Sequence, residues 1–145
     1  MICLSDYNLY TGKVGYVKSF TEVPRMVTII LGNFIGVFLI SLISPVFAAS
    51  LVTAKLGIPL GLLFFKSVAC GFLMYLAVDY YKRCHSILAI ICCIPAFILA
   101  GFEHSIADMF YICTVKIFNL QIVRFVLITI IGNAIGAIFA RKSLQ

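Results

Sequence analysis

Four stretches of this chain are long and poor in charge: residues 26–47, 56–81, 86–113 and 118–140. A bilayer core takes about 20 apolar residues per helical span, so each stretch can cross one. A soluble domain clothes its surface with about 25% charged residues. Here only 11% are charged, 63% are hydrophobic, and the mean hydropathy is +1.17. The outer surface must then be apolar, which only lipid accepts as a solvent. The short alternating segments of a membrane β-barrel are absent from the sequence. The chain reads as an all-α integral membrane protein, with residues 1–145 forming a single transmembrane domain.

The net charge of +6 matters less than where the charges lie. If the four spans alternate, Lys13, Lys18, Arg25, Lys82, Arg83, Arg141 and Lys142 share one side, against Lys55, Lys66, Lys116 and Arg124 on the other. The positive-inside rule puts both termini in the cytoplasm of a multi-pass protein of the cell's inner (plasma) membrane. Scattered at span ends, these charges make no basic face for nucleic acid. The first 25 residues lack the apolar core of a secretory signal. Of the six cysteines, Cys70, Cys92 and Cys93 fall inside apolar spans, where a thiol packs as a small hydrophobe. There is no CxxC, and neither a metal nor another cofactor is expected.

A repeat runs through the chain. Leu31-Gly-Asn-Phe-Ile-Gly36 returns as Ile131-Gly-Asn-Ala-Ile-Gly136. The Gly32/Gly36 and Gly132/Gly136 spacing suits close helix packing in lipid. It does not account for Asn33 and Asn133, because an intramembrane amide is costly unless it has a partner or faces water. Counting spans, the two copies run antiparallel, as in inverted-repeat transporters. The halves are unequal, since only a short, partly polar stub precedes the first copy. A complete first half needs further helical segments ahead of Met1.

Polar residues concentrate in the third apolar stretch, as GFEHSIADMF at residues 101–110. Glycine tolerates the backbone of an interrupted helix, so a broken helix is expected at residues 101–105. Glu103, His104 and Asp108 are too costly to face lipid and must point into a protein-lined or watery path. Histidine changes charge near neutral pH, and beside a pore it can offer a hydrogen bond or a proton to a weak-acid anion. Glu103 either tunes that ring or caps backbone amides at the break. No nucleophile–base pair accompanies the motif, so an enzyme is not expected. If the halves are related, Asn8-Leu-Tyr-Thr-Gly-Lys13, which has no helical pattern, corresponds to this break. Thr11 then lies opposite His104, with Leu9, Tyr10 and Phe102 as an apolar pore constriction.

These motifs, with the two Gly-Asn pairs and Lys55 followed by FFKSVACGFLMYLA at residues 64–77, resemble the formate/nitrite transporter family, which includes hydrosulfide channels. The resemblance runs from about residue 8 to 140. It implies an aquaporin-like inverted repeat of six helical segments, of which this chain is the C-terminal part, with the first helix and the start of the second missing. It also implies a homopentamer with one pore per protomer, and the expected function is a conduit for small monovalent anions such as formate or nitrite, either passive or proton-coupled through the pore histidine. His104 and Thr11 would line the central chamber, Lys55 would draw anions in, and Asn33 and Asn133 would sit near the breaks. The family usually has Asn at the positions of Asp108 and Gly71. A carboxylate beside an anion path repels substrate unless it is protonated or paired with a cation. A rival expectation is a shortened, non-transporting structural or assembly subunit.

Overall fold

The computed structural model describes residues 8–44 and 48–144. One helical turn, α1 (Tyr10–Lys13), runs into a 3-10 turn at Val14–Tyr16, and a second 3-10 turn at Phe20–Glu22 leads into α2 (Val23–Ile43). Then come α3 (Ala49–Leu56), α4 (Leu60–Cys84), α5 (Leu88–Leu99), α6 (Ser105–Val115) and α7 (Leu120–Ser143). No strand occurs among the described residues.

Among the described residues, three helical stretches are long and apolar enough to cross a membrane: Phe20–Ile43, Leu60–Cys84 and Leu120–Ser143. The third expected stretch, residues 86–113, is divided between two shorter apolar helices, α5 and α6. Their boundaries follow local chemistry. Pro24 lies in the first turn of α2 and Pro59 caps α4, positions where the missing N–H of proline costs nothing. Asn119 caps α7 through its side chain, which accepts from the Ile122 N–H at 2.9 Å. His85 and Lys116 end α4 and α6 in the left-handed conformation, φ 51° and 56°.

The observed spans differ from the expected ones in instructive ways. The first ends at Ile43 rather than residue 47, and residues 45–47 lie outside the described set. The expected span 56–81 starts instead at Leu60, because Gly57 and Pro59 separate it from the short helix α3. Lys55 therefore belongs to α3, an element that hydropathy alone hides. The stub is not irregular either, since Tyr10–Lys13 forms a helical turn.

Helices α4 and α7 form the packing centre and run parallel, with Gly132 against Phe64 and Ser67 and Gly136 against Val68 and Phe72. A Cβ added at Gly71, Gly132 or Gly136 would overlap atoms of Asn133, Ser67 or Val68. Gly132 and Gly136 thus serve close helix approach, as their spacing suggests. Gly32 and Gly36 do not: a Cβ on either meets nothing within 4 Å of the described residues. Leu39, Ile43, Phe65, Leu99, Phe118 and Phe139 are all exposed, the apolar exterior of a molecule solvated by lipid.

Candidate functional site

The site forms where two extended residues meet, each capping a helix. His104 (φ −107°, ψ 114°) precedes α6, and Leu9 (φ −89°, ψ 131°) precedes α1. An asparagine side chain clamps the peptide on either side of each. Asn133 Oδ1 accepts from the Ser105 N–H at 2.9 Å, and its Nδ2 donates to the carbonyls of Glu103 (2.9 Å) and Ser67 (2.8 Å). Asn33 Oδ1 accepts from the Tyr10 N–H at 3.0 Å, and its Nδ2 donates to the Asn8 carbonyl at 3.0 Å. The two amides do the same work: they satisfy the backbone groups that a helix break would orphan in a water-poor interior. Gly101, with φ +63°, makes the bend that leads into His104, in a region side-chain-bearing residues rarely adopt.

The clamps bring Thr11 and His104 together. Thr11 Oγ1 lies 2.9 Å from His104 Nε2, and both residues are buried, at 1% and 9% exposure. His104 Nδ1 accepts from the Ala107 N–H at 3.3 Å and so caps α6. A nitrogen that accepts carries no proton, so this network assigns the neutral ring as the Nε2–H tautomer, donating to Thr11. The Phe97 ring stacks on the imidazole, with centroids 5.7 Å apart and planes 21° apart. The cap at this break is thus His104 and not Glu103.

Glu103, 2% exposed, turns instead to Lys55, with which it makes a short ion pair. Lys55 Nζ also meets Asp108 Oδ1 at 3.0 Å. The extra carboxylate is therefore paired with a cation, and Lys55, its side chain only 17% exposed, is not a flanking surface charge. The residues expected to form a constriction divide. Tyr10 is 3% exposed, with its hydroxyl donating to the Ile130 carbonyl at 3.0 Å, and it belongs to the packed core. Leu9 packs partly buried against that core, and Phe102 is half-buried.

Sequence reading missed Phe97, Ser67 and Asp79. Phe97 lies across the break, where helical spacing no longer says which residues meet, and Ser67 contributes only a backbone carbonyl. Asp79 lies at the end where the chain's amino-terminal turns meet α4. It accepts from Tyr16 Oη (3.1 Å) and Tyr75 Oη (3.2 Å) and pairs with Arg83 at 2.7 Å. Lys82 Nζ sits 3.7 Å from the Tyr16 ring centroid, and Arg141 donates to the Val17 carbonyl at 2.6 Å. An acidic residue inside a span signals a partner, and this one could have been sought among the basic residues that follow it. Among the described residues no group of His, Cys, Asp and Glu could hold a metal.

The long apolar helices, the apolar exterior and the polar groups gathered at a helix break define a helical membrane protein. A family model described as formate/nitrite transporter matches residues 1–142, and the chain belongs to that family. It is a family of transport proteins rather than of enzymes. Comparisons with curated proteins and with solved structures return no match.

Proposed function

We propose that this chain carries small monovalent weak-acid anions, formate or nitrite among them, past His104 and Thr11. The observation that supports this reading is the 2.9 Å contact between Thr11 Oγ1 and His104 Nε2, which joins the two extended segments inside the membrane. The Nε2–H is a buried donor whose acceptor can change. An anion reaching it would displace the Thr11 hydroxyl and recover in one charge-assisted bond part of the hydration it has lost. Proton delivery from the same ring would need an imidazolium, whose Nδ1–H would face the Ala107 N–H and break the helix cap. The geometry therefore favours a neutral His104 that donates a hydrogen bond, with any coupled proton held elsewhere.

Several further features go with this reading. Lys55 is the cation next to the path, Leu9 and Phe102 narrow it, and the equivalent clamps of Asn33 and Asn133 are the cores of an inverted repeat. The functional assembly is a homopentamer in the inner (plasma) membrane, with both termini cytoplasmic. The test is formate influx into proteoliposomes, read by light scattering or internal pH. The intact chain is expected to accelerate influx over empty vesicles, and His104→Leu, which can neither donate nor cap, to abolish the gain. Unchanged flux in His104→Leu would remove the histidine from the path. No influx by the unaltered chain, with oligomers retained, would favour an assembly role.

A further inference from the structure

The ion-pair cluster beside the break holds more acid than base. One ammonium, Lys55 Nζ, meets two carboxyl groups, Glu103 and Asp108, which are 2% and 1% exposed. No second cation comes within ion-pair distance of either among the described residues. On α4, the Lys66 ammonium lies towards Gly101, and the Cys70 thiol is fully buried. On α2, Arg25 sits in the first turn, and α7 carries Arg124, Arg141 and Lys142 towards its two ends. At the break, both His104 ring nitrogens are engaged by Thr11 and Ala107. The cluster must therefore balance its own charge. With both carboxyls ionised it carries a net charge of minus one inside an apolar interior, where an uncompensated ion is very costly.

The second observation is an orphan atom. Asp108 Oδ2 is fully buried and has no hydrogen-bond partner among the described residues, and neither does Ser105 Oγ, one turn earlier on the same helix. A bare carboxylate oxygen without a donor is an expensive group to bury, whereas a protonated one becomes a donor on the face that carries the Ser105 hydroxyl.

We propose that Lys55, Glu103 and Asp108 form an intramembrane proton-binding site, with the proton held on Asp108 Oδ2. Lys55 and ionised Glu103 then neutralise one another, and the loaded cluster has no net charge. Releasing the proton leaves the cluster at minus one, beside the position at which an anion would meet His104. Anion entry is thereby tied to a loaded cluster.

The proton site stands apart from the transport reading, and its effect on entry rests on it, so two measurements separate them. The first is infrared spectroscopy of the full chain at pH 7 in a detergent free of ester groups. Of the five Asp and Glu residues, Asp79 is paired with Arg83, and Glu22 is not buried. A protonated-carboxyl C=O stretch that shifts in D2O is expected in the unaltered protein and lost in Asp108→Asn. It is expected to be lost in Glu103→Gln too, where Lys55 alone balances an ionised Asp108. Absence of the band from the unaltered protein, or its survival in Asp108→Asn, overturns the proposal. The second is formate influx against pH. Above the pH at which the cluster unloads, influx is expected to fall about tenfold per pH unit in the unaltered chain. In Asp108→Asn, whose cluster stays neutral, that component is expected to vanish. The same pH profile in both proteins overturns the coupling to entry. The infrared result on its own, without flux by either protein, overturns the transport reading and leaves the proton site standing.

Discussion

Thr11 and His104 each make a contact the other needs, which sets what their substitution should do. Thr11→Val keeps the shape and deletes the acceptor, leaving a buried Nε2–H unpaired at a cost of about 1–3 kcal/mol. Thr11→Ser restores the hydroxyl. Formate influx and thermal stability in detergent are expected to drop together in the valine variant and to recover in the serine variant. A stable valine variant with full flux would show that the contact is incidental. Asn133 is the harsher site, because its one amide serves three backbone groups. Asn133→Asp keeps the acceptor for the Ser105 N–H but loses both donors and buries a charge. It is expected to unfold at lower temperature than Asn133→Ala, and both well below the unaltered chain. Ranking the three by heating followed by size-exclusion chromatography checks this.

At the scale of helices, the α4–α7 contact depends on missing side chains. Gly71 lies against the backbone of Asn133, so any larger residue there pushes away the helix that carries the clamp. Overpacking of this kind typically costs 1–3 kcal/mol. Gly71→Ala and Gly136→Val are expected to lower stability by about that much, while Gly36→Ala, facing open space, is expected to change it by less than about 0.5 kcal/mol. Equal losses at Gly36 and Gly136 would mean that α2 packs on something in the working assembly. This asymmetry was not legible in the sequence, where the two Gly-x-x-x-Gly copies look alike. Spacing says that a helix can be approached closely, not whether a partner is there. The broken third crossing was legible, because three ionisable residues cannot face lipid and Gly101 supplies the bend. The helix α3 was not, since its apolar residues run on into α4 in hydropathy, and only Gly57 and Pro59 mark the division. The partner of Asp108 was hidden for the same reason: Lys55 reads as a surface charge at a span end until α3 turns it inward.

Across the whole molecule, the charges sort by end. Parallel packing puts the carboxyl ends of α4 and α7 at the same end, and the contacts there tie in the segment that precedes α2. Lys82 lies on the Tyr16 ring, Arg141 holds the Val17 carbonyl, and Arg83 pairs with Asp79. Lys18, Arg25 and Lys142 are close by in sequence. At the other end, Lys116 and Arg124 flank the α6–α7 turn, and Lys55 is withdrawn into the ion-pair cluster, which steepens the difference between the two ends. A positive excess favours the cytoplasmic side by retarding translocation of that flank. Cys84 closes α4 at the basic end and is exposed, so it reports the orientation directly. In a variant whose only cysteine is Cys84, a membrane-impermeant maleimide is expected to label inside-out vesicles and to spare right-side-out ones. A second variant with the single cysteine at Lys116 should give the reverse pattern. Labelling of Cys84 from outside would invert the orientation argued from charge, and would turn the basic end towards the outside medium.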